Sequence, residues 1–200
     1  PKTMSHLEEL YSHTAKLLSG LEGVTVNSKN NIPSILNFSV QGVRSEIMLQ
    51  LKKPPRLHRG DKVATVSLSW GAAGSPDIRW RDELGKRRME TLFGLQVVEM
   101  PHTLAPERYV SEHPEKRAED LMAAFADDSI RAIFGVIGGN DSIRMLPYLD
   151  FELIRSHPKI LTGYSDGTVS DFICMKAGLR SFYGAHVLND FGEPGQMPPY

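Results

Sequence analysis

The chain has 200 residues, 40% hydrophobic and 24% charged, which is enough apolar mass for one real core plus an appendage. Its 23 basic residues balance 24 acidic ones, so a net charge of -1 recommends neither nucleic acid nor an anionic membrane as partner, and small neutral or zwitterionic ligands fit better. The single cysteine, Cys174, excludes an internal disulfide framework or a multi-cysteine metal site, and no apolar run reaches membrane-spanning length, so a cytoplasmic location is expected.

From Ser5 to Leu18 the residues Leu7, Leu10, Tyr11, Ala15, Leu17 and Leu18 fall mostly at helical spacing, which predicts an amphipathic helix capped by Ser5 and ended by Gly20 and Gly23. Val24 to Val26 and Ile35 to Val40 then read as short strands about an Asn-rich turn, and Ser45 to Leu51 as the start of another helix. Residues 1–52 thus form a small α+β segment, too short to hold a core alone. Lys52-Lys53-Pro54-Pro55 breaks the pattern, because paired prolines remove donors and bias the preceding residues away from helix, and the domain boundary is expected there.

Residues 53–200 alternate short apolar runs with amphipathic stretches. Strands are expected at Val63 to Leu68, Leu95 to Met100, Arg131 to Ile137, Lys159 to Thr162 and Arg180 to Tyr183. Helices are expected at Asp77 to Phe93, Pro114 to Phe125 and Gly167 to Ala177. This order is that of an α/β fold, a parallel sheet with crossover helices on its faces.

In such sheets ligands bind beyond the carboxyl ends of the strands, which directs attention to three loops. In Ser67-Leu68-Ser69-Trp70-Gly71, Ser69 and Trp70 are either pocket-lining groups or parts of a tight turn with Trp70 as a partly buried anchor. In Gly138-Gly139-Asn140-Asp141-Ser142, successive glycines let backbone N–H groups approach a ligand, and Asp141 or Ser142 can cap the next helix; any strand-to-helix turn can use the same glycines. The third loop, Gly163-Tyr164-Ser165-Asp166-Gly167, matches G-x-S-x-G. A nucleophile on a sharp strand-to-helix bend needs small neighbours two positions either side, and the following helix aims its N-terminal amides at the oxyanion. An N-capping serine in a Gly-bounded turn is the alternative reading of the bare pentapeptide.

Taken together, the Gly-Gly-Asn-Asp-Ser loop, Leu146-Pro147-Tyr148-Leu149-Asp150, Pro158-Lys159 and Gly163-Tyr164-Ser165-Asp166 resemble the LD-carboxypeptidase family in order and spacing. That family includes muramoyl-tetrapeptide carboxypeptidases and microcin-immunity peptidases. Pro54 to Asp61 and Ser181-Phe182-Tyr183-Gly184 look like its beginning and middle, and the latter, with the Asn-Asp form of the glycine loop, leans toward the microcin-immunity branch. The resemblance implies the N-terminal domain of a metal-free, cofactor-free serine peptidase acting on small peptides or peptide-nucleotide conjugates, with a homodimer as the expected assembly. Ser165 would be the nucleophile, the N–H of Asp166 and one from Gly138 or Gly139 the oxyanion hole, and Asn140, Asp141, Ser69 and Trp70 substrate-binding residues. Gly167 stands where the family usually has a larger residue, and Ala185-His186 replaces a more usual proline-containing turn.

Family members draw a Glu and a His from a separate C-terminal domain, and the sequence ends at Tyr200, so this chain alone is expected to be nearly inactive. His186, with Asp190 four residues on, is read as a surface-loop histidine in preference to a substitute base, and His102, His113 and His157 show no metal-ligand spacing. Asn31 to Ser39 and Gly42 to Glu46 look like the small domain of a cysteine desulfurase, but Lys52-Lys53-Pro54-Pro55 stands where the reactive-cysteine loop would follow. Two readings from other classes remain beside the peptidase: a non-catalytic fusion or truncated product, and a pyridoxal-phosphate enzyme fragment.

Overall fold

The structure is a computed structural model and describes residues 2–28, 38–41 and 51–198. The chain divides into two compact units between Gln50 and Leu51. In the first, helix α1 (Lys2–Ser19) precedes strands β1 (Val24–Val26) and β2 (Phe38–Val40), which pair antiparallel with Val24 opposite Val40. The helix begins ahead of its apolar stripe, so Ser5 lies inside it and is not its cap. The Asn31 to Glu46 stretch that looks like a desulfurase lies outside the described residues except for 38–41, as does the helix expected from Ser45, except for Leu51.

The second unit is a five-stranded, all-parallel sheet in the order β4-β3-β5-β6-β7, with β3 at Lys62–Val66, β4 at Gln96–Glu99, β5 at Ile130–Gly135, β6 at Ile160–Gly163 and β7 at Phe182–Tyr183. The central strands β3 and β5 are mostly apolar and buried over residues 63–66 and 132–135 because helices cover both faces. Ala64, Val66 and Ile133 point to one face, where they pack with Ala118, Leu121 and Phe125 of α4 (Pro114–Ala126), Ile154 of α5 (Phe151–Ser156), and Ile173 and Cys174 of α6 (Thr168–Lys176). Val63, Ala132 and Phe134 point to the other, against Met89 of α2 (Arg79–Thr91) and against Val187 and Leu188.

Four short elements have no counterpart in the sequence reading: a 3-10 turn at Ala72–Gly74, α3 (Glu107–Glu112), α5, and a single π turn at Val187–Phe191. Helix α5 is six residues long, too short for apolar period to declare it, and is fixed by the Asp150 carboxylate, which accepts the N–H groups of Glu152 and Leu153. The loop expected to cap a helix at Asp141 or Ser142 leads instead into a 3-10 stretch, Ser142–Tyr148, containing Pro147 and lacking a side-chain cap.

Strand β3 is followed by α2 on one face, whereas β5 is followed by α5 on the other. The neighbouring strands β3 and β5 therefore send their chains in opposite directions, and a crevice opens between them at their carboxyl ends. The candidate site lies there.

Candidate active site

The loop after β3 and the loop after β5 are stitched together across this crevice. The buried Ser69 hydroxyl oxygen accepts the N–H groups of Asn140 (3.1 Å) and Asp141 (3.2 Å), and the Trp70 N–H donates to the Gly138 carbonyl (3.3 Å). Gly139 has φ +152°, and a Cβ there would collide with the Ser69 hydroxyl, so glycine is required on both grounds.

After β6 the chain turns through Ser165–Gly167 into α6. Ser165 has φ +57°, and it is the one non-glycine residue with positive φ among the described residues. The left-handed region costs an L-residue roughly 1–2 kcal/mol, so the surrounding bonds must hold it. The Gly167 N–H donates to the Tyr164 carbonyl (2.9 Å), and the Thr168 hydroxyl donates to the Ser165 carbonyl (2.7 Å). Ser165 is exposed, and a Cβ built on Gly138 would lie 2.9 Å from its Cβ, 3.1 Å from its Oγ and 3.4 Å from the Asp166 nitrogen. The serine hydroxyl, the Asp166 amide and the diglycine bend therefore share one small space, and only a residue without a side chain at 138 leaves it open.

Two carboxylates fix the loops that frame this space. Burial raises the Asp166 carboxyl, but hydrogen bonds from the Ser69 hydroxyl, the Ser142 N–H (2.9 Å) and hydroxyl, and the Asp141 N–H outweigh it and hold the group below the ordinary carboxylate range. Because Ser69 follows β3, Ser142 follows β5 and Asp166 follows β6, this one ionised group ties three strand ends together. The Asp141 carboxylate is engaged by Arg117 Nη1 (2.7 Å) and Arg144 Nη1 (3.1 Å). Arg117 is buried and also donates to the Leu68 carbonyl (2.9 Å).

A cleft of about 440 Å³ opens beside the bend, lined by Ser69, Trp70, Gly71, Glu107, Ser111, Gly139, Asn140 and Asp141. Four of the residues expected from the sequence to meet substrate thus face one cavity, with Trp70 38% exposed over it. Glu107 and Ser111 were not legible, since they arrive on α3, and the Arg117–Asp141 pair joins residues with no local pattern between them.

His186 is a correction. Expected on a surface loop, it is 1% exposed, because Val187 and Leu188 fold onto the sheet in the π turn and carry the imidazole behind the bend. Its N–H donates to Asp190 Oδ2 (2.7 Å), and Nε2 accepts the Tyr164 N–H (3.3 Å). Burial pushes its pKa down to about 4, only partly offset by the Asp190 carboxylate, so the ring is neutral near pH 7. No imidazole or carboxylate among the described residues is hydrogen-bonded to the Ser165 hydroxyl. Two other histidines pair elsewhere: His102 Nδ1 lies 2.8 Å from Asp120 and His113 Nδ1 lies 2.8 Å from Glu115.

A family model described as the LD-carboxypeptidase N-terminal domain matches residues 63–184. A Bacillus subtilis protein described as a "Probable murein peptide carboxypeptidase" is 34% identical over 141 residues, covering 70% of this chain and 42% of that protein. Among solved structures, an MccF-like protein from Streptococcus pneumoniae in complex with AMP is 38% identical with a TM-score of 0.63, over 67% of this chain and 40% of that one. The microcin C7 self-immunity protein MccF in complex with aspartyl sulfamoyl adenosine is 32% identical with a TM-score of 0.65, over 72% of this chain and 42% of that one. The chain spans 28% to 44% of the length of the curated relatives it matches.

Proposed function

Because the chain belongs to the LD-carboxypeptidase family, we propose that its second unit is the nucleophile-bearing half of a serine carboxypeptidase or amidase, with Ser165 as the attacking residue. The observation that carries the reading is the backbone at Ser165. A strained left-handed serine, exposed at the carboxyl end of a parallel strand and flanked by glycines, is what a nucleophile on a sharp bend requires and what an ordinary capping serine does not.

In the reaction, a base removes the Ser165 proton while Oγ attacks the scissile carbonyl carbon. The carbonyl oxygen becomes an oxyanion, held by the N–H of Asp166 and an N–H of the Gly138-Gly139 bend. Collapse expels the C-terminal amine or the nucleotide-linked leaving group with a proton, and water then hydrolyses the acyl-serine. The base is supplied from outside residues 51–198, as the family resemblance implies for its Glu and His. The substrate class is a small peptide with an unusual C-terminal bond, either an L,D-linked cell-wall fragment or a peptide-nucleotide conjugate. The relatives' names support the first and the AMP and aspartyl sulfamoyl adenosine complexes the second.

The test compares the intact protein with its Ser165→Ala form on an L,D-tetrapeptide and on an aminoacyl-adenylate analogue. At least about a thousandfold loss on the substrate that wild type turns over is expected when a covalent nucleophile is removed. Equal rates from both proteins would remove Ser165 from the mechanism.

A further inference from the structure

We propose that His186 is a positioning residue for the nucleophile: a neutral imidazole, seated in a glycine socket behind the bend, whose Nε2 holds the Tyr164 N–H and so fixes the strained backbone presenting the Ser165 hydroxyl. The role rests on the reading of Ser165 as nucleophile, but its geometry stands independently. The backbone ladder along this edge ends where the Gly184 N–H donates to the Gly163 carbonyl (3.2 Å). Tyr164 is the next residue, still extended at φ -144° and ψ -174°; across the trans peptide its N–H points away from that carbonyl, to the β5 side, where the pairing of β5 with β6 has already ended at Phe134 opposite Thr162. His186 Nε2 receives that donor at 3.3 Å, one residue before the backbone enters the left-handed region.

The socket is shaped for this ring. A Cβ at Gly135 of β5 would lie 3.2 Å from its Cδ2, and a Cβ at Gly163 or Gly167 would lie 3.0 Å or 3.1 Å from Nε2. Three chain segments thus give up side chains around one imidazole. On its open side the Tyr164 ring covers it at 4.4 Å between centroids, and that ring is itself held by the Asn189 amide, which donates to the Tyr164 hydroxyl (3.1 Å). The His186 N–H bond to Asp190 Oδ2 fixes the backbone from which the ring projects.

The unpaired atom explains why a histidine is there. With Nε2 accepting, the proton of the neutral ring sits on Nδ1, and Nδ1 is buried with no hydrogen-bond partner. A benzene ring would carry no buried donor to leave unpaired, which is the cost the imidazole bears at Nδ1. What a benzene ring lacks is the acceptor for Tyr164. An uncompensated buried donor kept next to a strained functional backbone marks a group retained for its other atom.

The experiment uses the intact protein, with the base supplied from outside residues 51–198 present, in four forms: wild type, His186→Phe, which keeps a ring without the acceptor, His186→Gln, which restores an acceptor, and Gly167→Ala, which crowds Nε2. Nitrogen-15 NMR of the His186 ring, hydrogen exchange at the Tyr164 amide and the rate of Ser165 labelling by a fluorophosphonate are measured on each. Wild type is expected to show the Nδ1–H tautomer and a protected Tyr164 amide. In His186→Phe and Gly167→Ala that amide is expected to exchange about tenfold faster, the consequence of losing one hydrogen bond, with labelling slowed in parallel; His186→Gln recovers most of both. An Nε2–H tautomer in wild type, or equal Tyr164 protection in wild type and His186→Phe, overturns the proposal. Failure of wild type to label at all counts against Ser165 as an activated nucleophile, while the tautomer and exchange arms still decide the role of His186.

Discussion

Replacing Ser165 with glycine is expected to stabilise the protein while removing its reactive hydroxyl. At φ +57° the serine occupies a region that costs an L-residue roughly 1–2 kcal/mol. Glycine has no such cost, but it frees the unfolded chain by about 0.4–1 kcal/mol, so the net gain is about 0.8 kcal/mol at the centre of a range of about 0–1.6 kcal/mol. For a chain of this size 1 kcal/mol moves Tm by roughly 2–4 °C, which gives an expected rise of about 1–4 °C. Ser165→Ala keeps the Cβ and therefore the strain, and its Tm is expected within about 1 °C of wild type. Both variants keep the Thr168 bond to the backbone carbonyl of residue 165, so that contact cancels from the comparison. Scanning calorimetry and urea titration of the three proteins measure the difference. A glycine variant no more stable than the alanine variant would show that the backbone strain at residue 165 does not exceed glycine's unfolded-state cost of about 0.4–1 kcal/mol, and the argument from the bend would lose its physical basis.

Gly138→Ala would put a methyl group 2.9 Å from Ser165 Cβ and 3.1 Å from its Oγ, and is expected to cut turnover about a hundredfold or more with stability changed by no more than about 1–3 kcal/mol, read by paired kinetics and denaturation. Arg117→Met leaves Asp141 with only the more exposed Arg144 and should cost about 2–3 kcal/mol, whereas surface Arg108→Met, whose partner Glu112 is also exposed, should cost under about 1 kcal/mol; equal urea midpoints would contradict this. Two buried groups pull the pH dependence in opposite directions. His186, lowered to about 4 from 6.5 by burial, binds its proton later in the folded state, so its contribution is complete above pH 6.5 and about 3 kcal/mol is lost as pH falls to 4. Asp82, raised from 3.8 to about 6 by burial and then by Glu99, binds its proton more tightly when folded, so about 3 kcal/mol is lost as pH rises from 4 through 6. The two nearly cancel in wild type, and Asp82→Asn should unmask a steep loss of stability below pH 6.5; a flat profile in that variant would refute the His186 burial argument.

The sheet was legible because strands covered on both faces need not alternate, and residues 63–66 and 132–135 appear in the sequence as short runs of small and apolar residues with Thr65 as the one polar member. The bend at Ser165 was legible because G-x-S-x-G is a contiguous pattern, although the nearest atom to a Cβ at either Gly163 or Gly167 belongs to the distant His186. The supporting bonds were not, since they join distant strand ends: nothing near Ser69 announces Asn140, and nothing near Arg117 announces Asp141. The position of His186 is not legible because its four-residue spacing to Asp190 fits a catalytic pair or a surface loop equally, whereas the structure uses it to close the backbone ahead of the buried Val187 and Leu188. Gly167 and His186, two separate departures from the family pattern in the sequence, are neighbours in space, since a Cβ at Gly167 would lie 3.1 Å from His186 Nε2.

The most direct test of the account is a crystal structure of the intact protein after reaction with a peptidyl phosphonate. The expected result is a covalent bond from phosphorus to Ser165 Oγ, with a phosphoryl oxygen within hydrogen-bond distance of the Asp166 N–H and of an N–H from the Gly138-Gly139 bend, and the peptide lying in the cleft beside Trp70 and Asn140. An adduct on another residue, or a phosphoryl oxygen turned away from both amides, would contradict it.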